Sequence, residues 1–282
     1  MSQTKQEIQS ILGAAGTMPR HRFGQNFMID RNLVAAIAAA GDLAAGELCI
    51  EVGPGTGTLT EELLASGADV LAVEIDRDLA GQLRQRLGLQ SRFRLLEGDA
   101  LSGKHALHPE VLAAINAARA SGQRVKLVAN LPYNIASPLI IELLLAGAQR
   151  LAFTVQKEVA LRLAASENSD DYGPLTVMAQ LLAEVRIERH LPPQAFWPQP
   201  KIDSSLVVMT SRGPAPGWAP AFGRFVKELF SGRRKMLRKG LVNMGHASGE
   251  ATLATLQIDP TARPETLSPQ RLLALFRALQ PQ

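Results

Sequence analysis

Leu48-Cys49-Ile50-Glu51-Val52-Gly53-Pro54-Gly55-Thr56-Gly57 decides the fold of this chain. Leu48–Val52 is apolar apart from one acid and predicts a buried strand. Three glycines then follow within five residues, and a helical pattern begins at residue 59. Glycine in such a loop lets a ligand approach the main chain closely. Two cofactor classes use a loop of this kind after a first strand. A dinucleotide site requires G-x-G-x-x-G, with glycine at position 58, but this chain has Thr58. The early third glycine and the acidic Glu51 fit an S-adenosylmethionine loop better.

Working outward, apolar runs at Asp69–Glu74, 93–96, 125–129 and 151–155 also predict strands. Helical spacing recurs at Arg31–Ala40, 59–66, Arg77–Leu87 and 138–146. This alternation predicts an α/β fold, a mostly parallel sheet covered on both faces. The run 206–209 predicts a late strand on the sheet's far side. In such sheets ligands bind beyond the carboxyl ends of the strands. Glu74 ends the second strand, about 20 residues past the loop, where an acid can take both hydroxyls of a ribose. That feature is shared with dinucleotide sites. Asp99, after the third strand, separates the two, because an acid there can accept from an adenine amino group. Each of these residues alone could be a surface acid or a turn glycine. Gly53, Glu74 and Asp99 at successive strand ends describe one crevice.

Asn130-Leu131-Pro132-Tyr133 follows the run 125–129. Asn and Pro also make ordinary strand-to-helix turns. The chemical reading starts from an exocyclic amino group on a nucleobase, whose lone pair is delocalised into the ring. An enzyme that alkylates it needs acceptors for two N–H bonds and a flat surface for the base. The Asn130 side-chain oxygen and the Leu131 carbonyl can accept, and Tyr133 can be the surface. No strong base is required, and no His lies nearby.

Composition bounds the rest. The 282 residues suit a large domain plus a small one. Hydrophobic residues make up 46% and charged residues 20%, which predicts a globular protein and not a disordered one. Cys49 is the only cysteine, so an intrachain disulfide and a cysteine metal site are excluded, and no metal is expected. The N-terminus lacks the apolar core of a signal peptide, and no apolar run approaches membrane-spanning length. A cytoplasmic location and no membrane partner are therefore expected.

Gly213, Pro214, Pro216, Gly217 and Pro220 read as a linker, dividing the chain into 1–213 and 214–282. Beyond it Phe222, Phe225, Val226 and Leu229 recur at helical spacing, and Ser268-Pro269 is a good opening for a helix over 270–279. Residues 214–282 hold ten Lys and Arg against four acids, so the tail is the basic part. Arg233, Arg234, Lys235, Arg238 and Lys239 form its core. On one helix Arg234 would stack with Arg238 and Lys235 with Lys239, with Met236, Leu237 and Leu241 as the docking side. A solvated charged face would have the same composition. The functional reading is phosphate contact with structured RNA.

The chain resembles the KsgA-type small-subunit ribosomal RNA adenine dimethyltransferases, a branch of the Rossmann-like methyltransferases. The resemblance is carried by Arg22-Phe23-Gly24-Gln25-Asn26-Phe27, Glu51 to Gly57, Glu74-Ile75-Asp76, Gly98-Asp99-Ala100, Asn130 to Pro138, and Phe196-Trp197-Pro198-Gln199-Pro200-Lys201-Ile202-Asp203-Ser204. It implies a Rossmann-like methyltransferase sheet with a small C-terminal all-α domain, and S-adenosyl-L-methionine as cofactor. Asn26 and Met28 would cover the methionine end of the cofactor, with Gly53 and Gly55 beneath it. Glu74 would hold the ribose and Asp99 the adenine amino group. Asn130 would touch both cofactor and target base, Tyr133 would stack on the target adenine, and Phe196 would close its other side. A core aromatic held by Pro198 and Pro200 is the competing role for Phe196.

The implied reaction is N6,N6-dimethylation of two adjacent adenosines near the 3′ end of 16S rRNA in the small ribosomal subunit. Two rivals remain at this level. One is a large-subunit rRNA adenine methyltransferase of the antibiotic-resistance type. The other is a ribosome-assembly factor acting mainly by binding. No extended apolar seam predicts a dimer, so a monomer is expected.

Overall fold

Strands that are apolar on both faces are stable only between two layers of helix, and the chain folds that way. The computed structural model describes residues 3–20, 23–103, 105–232 and 235–280. In chain order α1 (Lys5–Ala14), β1 (Phe27–Met28) and α2 (Arg31–Ala40) lead into β2 (Leu48–Val52), α3 (Thr58–Ala65) and β3 (Asp69–Glu74). Next come α4 (Arg77–Leu87), β4 (Phe93–Glu97), α5 (Pro109–Ala120), β5 (Val125–Asn130), α6 (Ala136–Ala146) and β6 (Arg150–Gln156). They are followed by α7 (Lys157–Ala164), α8 (Pro174–Leu182), β7 (Ala183–Leu191), β8 (Phe196–Trp197) and β9 (Ser204–Ser211). The C-terminal part is helical: α9 (Ala219–Ser231), α10 (Leu237–Asn243), α11 (Gly249–Thr255) and α12 (Pro269–Leu279).

The main sheet has the order β4-β3-β2-β5-β6-β9-β7. The first five strands are parallel, β9 runs antiparallel to them, and β7, antiparallel to β9, shares their direction. Val52 pairs with Val73, Glu74 with Glu97, and Asn130 with Thr154. The carboxyl ends of these strands therefore lie along one edge. At the other end Lys126, itself buried, pairs with Glu47 at 2.7 Å and also bonds to the Asp42 carbonyl. β1 and β8 form a separate two-stranded ribbon, with Met28 opposite Phe196.

The strand at 206–209 extends to Ser204–Ser211 and is the second strand from the edge. The edge itself is β7, which the sequence reading missed. β7 carries Glu184, Arg186, Glu188, Arg189 and His190, so it lacks the apolar run of a buried strand. Charges of this kind suit an edge, where they discourage pairing with another chain.

The helix expected through the basic stretch is also interrupted. α9 ends at Ser231 with Gly232 as its C-cap, and α10 starts only at Leu237. The first amides of α10 are already engaged: Leu237 N–H donates to Ala262 O at 2.8 Å, and Arg238 N–H to Pro260 O at 3.2 Å. Those bonds replace the ones a continuous helix would need. Lys235 thus precedes the helix and does not stack on Lys239, although Lys235, Arg238 and Lys239 border one depression. Arg233 and Arg234 lie outside the described residues. Leu237 and Leu241 are buried as the docking side, while Met236 is 37% exposed.

One apolar cluster runs from Leu127 and Phe153 in the sheet through Val177 and Met178 of α8 to α9 and α12. Phe222 is fully buried there, edge-on to Phe276 at 5.4 Å and to Trp218 at 5.6 Å. The helix opening at Ser268 is capped as expected, its side chain accepting from Arg271 N–H at 3.2 Å. No described helix is long and apolar enough to cross a membrane. Phe222→Ala removes the ring on which α9 and α12 meet. It is expected to destabilise the protein by about 3–5 kcal/mol, read as a lowered urea midpoint for the whole chain.

Candidate active site

The loops at the carboxyl edge of the sheet enclose one cavity. Its walls include Asn26, Met28, Gly53, Gly55, Glu74, Asp99, Asn130, Leu131 and Tyr133, picked out in the sequence from five separate stretches. Gly53 and Gly55 have positive φ of 72° and 60°. A Cβ at Gly53 would lie 3.2 Å from Pro132, and one at Gly55 would lie 3.0 Å from Phe27. Glycine is therefore required twice over, by backbone angle and by space.

Glu74 is 3% exposed and ties two loops together. Its oxygens accept from Gly55 N–H at 3.0 Å and from Asp76 N–H at 2.9 Å. Each oxygen keeps a further lone pair for a ligand hydroxyl. Asp99 is exposed, and one of its oxygens accepts from Leu101 N–H at 2.9 Å. At the other end of the cavity Asn130 Nδ2 donates to the Asn26 carbonyl at 2.8 Å, joining β5 to the segment before β1. Tyr133 is half-buried, and its hydroxyl meets Ser204 Oγ at 2.9 Å.

Phe196 is the predicted residue that the cavity does not include. Its ring is 2% exposed and packs in a core cluster with Leu33, Leu191 and Leu206. It stands opposite Met28 in the ribbon, next to half-buried Trp197, which stacks on Phe27 at 6.4 Å.

Residues 17–281 match the sequence profile of the ribosomal RNA adenine dimethylase family. This chain belongs to that family. It is 43% identical over 278 residues to the ribosomal RNA small subunit methyltransferase A of Anaeromyxobacter dehalogenans (strain 2CP-C), covering 96% of this chain and 97% of the relative. Against the Pseudomonas aeruginosa protein of the same name it is 40% identical over 253 residues, covering 88% and 90%. Among solved structures, the 23S rRNA methyltransferase ErmE superposes with a TM-score of 0.63 at 26% identity, covering 90% of this chain and 99% of ErmE. A dimethyladenosine transferase from Plasmodium falciparum reaches 0.67 at 21% identity over 88% and 95%, a likeness of fold.

The family's cofactor is S-adenosylmethionine, and the cavity fits it. Glu51 is 1% exposed, lines the cavity and has one oxygen, Oε2, with no hydrogen-bond partner among the described residues. An orphaned buried carboxylate oxygen there suits a positively charged ligand. Burial pushes the Glu51 carboxyl up to about 8, helped by the nearby charge of Glu74. Burial likewise pushes Glu74 up to about 7, against the lowering effect of the backbone amides it accepts from.

Two further contributors were missed at the sequence level. Ile75 is 43% exposed on the cavity wall, an apolar surface immediately after Glu74. Helix α1 buries Ile8 and Leu12 against Phe27, a wall residue, and Gln3 Nε2 donates to Thr56 O at 2.9 Å. The signal for α1 was present in its capping box, Thr4 with Glu7, and in the spacing of Ile8 and Leu12.

Both carboxyls bind their protons more tightly in the folded protein than in the unfolded chain, where the ordinary value is 4.5. Their stabilising contribution is full below that value. It is lost as pH rises through about 7 for Glu74 and about 8 for Glu51. The cofactor-free protein should therefore show a falling urea midpoint between about pH 5 and about pH 8.5, with Glu51→Gln flattening the upper part of the curve.

Proposed function

We propose that this protein transfers methyl groups from S-adenosylmethionine to the N6 amino groups of two adjacent adenosines near the 3′ end of 16S rRNA. The substrate is the small ribosomal subunit during its biogenesis, and the enzyme acts as a monomer. The single observation that carries the reading is the amide of Asn130 held at the rim of the cofactor cavity beside Tyr133. The identity of about 40% to proteins named for the small subunit, over nearly the whole chain, favours that subunit over the large one.

The cofactor supplies an electrophilic methyl group on a sulfonium. Asn26, Met28 and the carboxylate of Glu51 hold its methionine end, and Gly53 and Gly55 pass beneath it. Glu74 takes the ribose hydroxyls and Asp99 the adenine amino group. For the target base, Asn130 Oδ1 and the Leu131 carbonyl accept the two N–H bonds of the amino group. Those bonds turn the nitrogen lone pair out of the ring and toward the methyl. Tyr133 stacks on the base, as aromatic side chains commonly do with an unstacked nucleotide. Among the described residues no histidine or lysine lines the cavity, so catalysis rests on positioning and the released proton leaves through water. Phe196 would reach the base only by leaving the core. We assign it support of the ribbon that carries Met28.

Residues 1–213 form the methyltransferase domain and 214–282 the basic RNA-binding domain. Lys235, Arg238 and Lys239, with Arg233 and Arg234, are the phosphate contacts. Asn130→Ala is expected to abolish methyl transfer to purified small subunits while subunit binding persists. The assay is incorporation of labelled methyl followed by mass mapping of the RNA. Label confined to large-subunit RNA would refute the choice of substrate, and retained turnover would refute the role of Asn130. Replacing Arg238 and Lys239 by Gln should weaken subunit binding and reduce its salt slope by about 0.7–0.9 per charge removed.

A further inference from the structure

Thr154 is fully buried on β6, directly across from Asn130. It reaches the Asn130–Tyr133 turn twice. Its carbonyl accepts from Leu131 N–H at 3.2 Å, and its hydroxyl donates to Asn130 Oδ1. From the other side Asn130 Nδ2 donates to the Asn26 carbonyl at 2.8 Å. A backbone carbonyl only accepts, so the amide nitrogen of Asn130 must face Asn26 and its oxygen must face Thr154. The usual ambiguity in the direction of an asparagine amide is removed. An amide oxygen carries no hydrogen, so the threonine hydroxyl is the donor. That bond occupies one lone pair of Oδ1 and leaves the second for the cavity.

We propose that Thr154 is a positioning residue for methyl transfer, its hydroxyl fixing the Asn130 amide with its oxygen available to the target amino group. The inference rests on the adenine N6 reading above. Asn130 cannot serve as an acceptor if its amide turns its nitrogen to the base, because that N–H would oppose the amino group's own hydrogens. With Asn26 alone as partner the amide is held at one end only. With Thr154 it is held at both, so its orientation is set before the base arrives, and preorganisation of this kind acts on the chemical step. The bond from Leu131 N–H to Thr154 O fixes the adjoining peptide, whose carbonyl is the second acceptor. One residue thus governs both acceptors, the first through its hydroxyl and the second through its backbone. Only the hydroxyl can be removed by substitution.

Valine has nearly the shape of threonine and suits a buried strand, while serine retains the hydroxyl. Wild type, Thr154→Val and Thr154→Ser are compared in steady-state methylation of purified small subunits. Cofactor dissociation constants come from calorimetry and melting temperatures from circular dichroism. The expected result is a kcat about three- to tenfold lower for Thr154→Val, the effect of removing one hydrogen bond. The cofactor dissociation constant and the KM for subunits stay within about twofold of wild type, and Thr154→Ser recovers most of the lost kcat. A valine variant as fast as wild type, or a serine variant as slow as valine, overturns the inference. So does a loss of cofactor affinity and melting temperature that tracks the loss of kcat, because that pattern marks a structural role. Absence of methyl transfer by wild type overturns the adenine reading and the inference together, and is distinguished by that control alone.

Discussion

One hydrogen bond, repeated at three strand ends, sets the geometry on which the site depends. Gly53 N–H donates to Val73 O at 2.9 Å, Gly98 N–H to Glu74 O at 2.8 Å, and Leu131 N–H to Thr154 O at 3.2 Å. In each case the first residue after a parallel strand is tied to the end of the neighbouring strand. Parallel ladders space their bonds evenly, so in-register pairing brings all the loops off the sheet at one edge. Burial of both faces forbids a slip of one residue, which would exchange the two faces of a strand. The glycine loop, Glu74, Asp99 and the asparagine turn are thereby held along one crevice.

Burial in that crevice disfavours charge on two of its carboxyls. It is the main cause for both, with the charge of Glu74 further opposing ionisation of Glu51 and that of Asp76 opposing ionisation of Glu74. Glu74 is compensated by two backbone amides, Glu51 far less, with an oxygen left orphaned. A cationic ligand relieves this arrangement more than a neutral one does, which ties the affinity of the cavity to charge as well as shape. Helix α1 adds a mechanical element. It clamps Phe27 over Gly55, so the roof of the cavity depends on residues at the extreme start of the described chain.

The site was legible where its chemistry coincides with a strand end. Gly53, Gly55, Glu74, Asp99 and Asn130 each follow an apolar run, and an apolar run is a local signal. Legibility failed where the signal is carried by distant partners. β7 is charged because it is an edge, and only the sheet order says which strand is the edge. The helix through the basic stretch is broken because carbonyls of Pro260 and Ala262 take its first amides. Phe196 sits in a motif of prolines and an aromatic that suits either a stacking ring or a core ring, and the ribbon with β1 turned it inward.

The sequence by itself determined the α/β class, the positions of the five parallel strands β2 to β6 and of β9, the glycine loop and the residue types that a methyl transfer to an amino group needs. These follow from periodicity, glycine placement and functional-group chemistry, all properties of short segments. Tertiary structure alone decided how the groups are aimed. The amide of Asn130 has its direction fixed by Asn26 and Thr154, each 24 or more residues away along the chain. The carboxyls of Glu51 and Glu74 acquire raised proton affinities only once other segments bury them. Hydrogen-bond direction and desolvation are relations between segments, and no segment contains them before the sheet has formed.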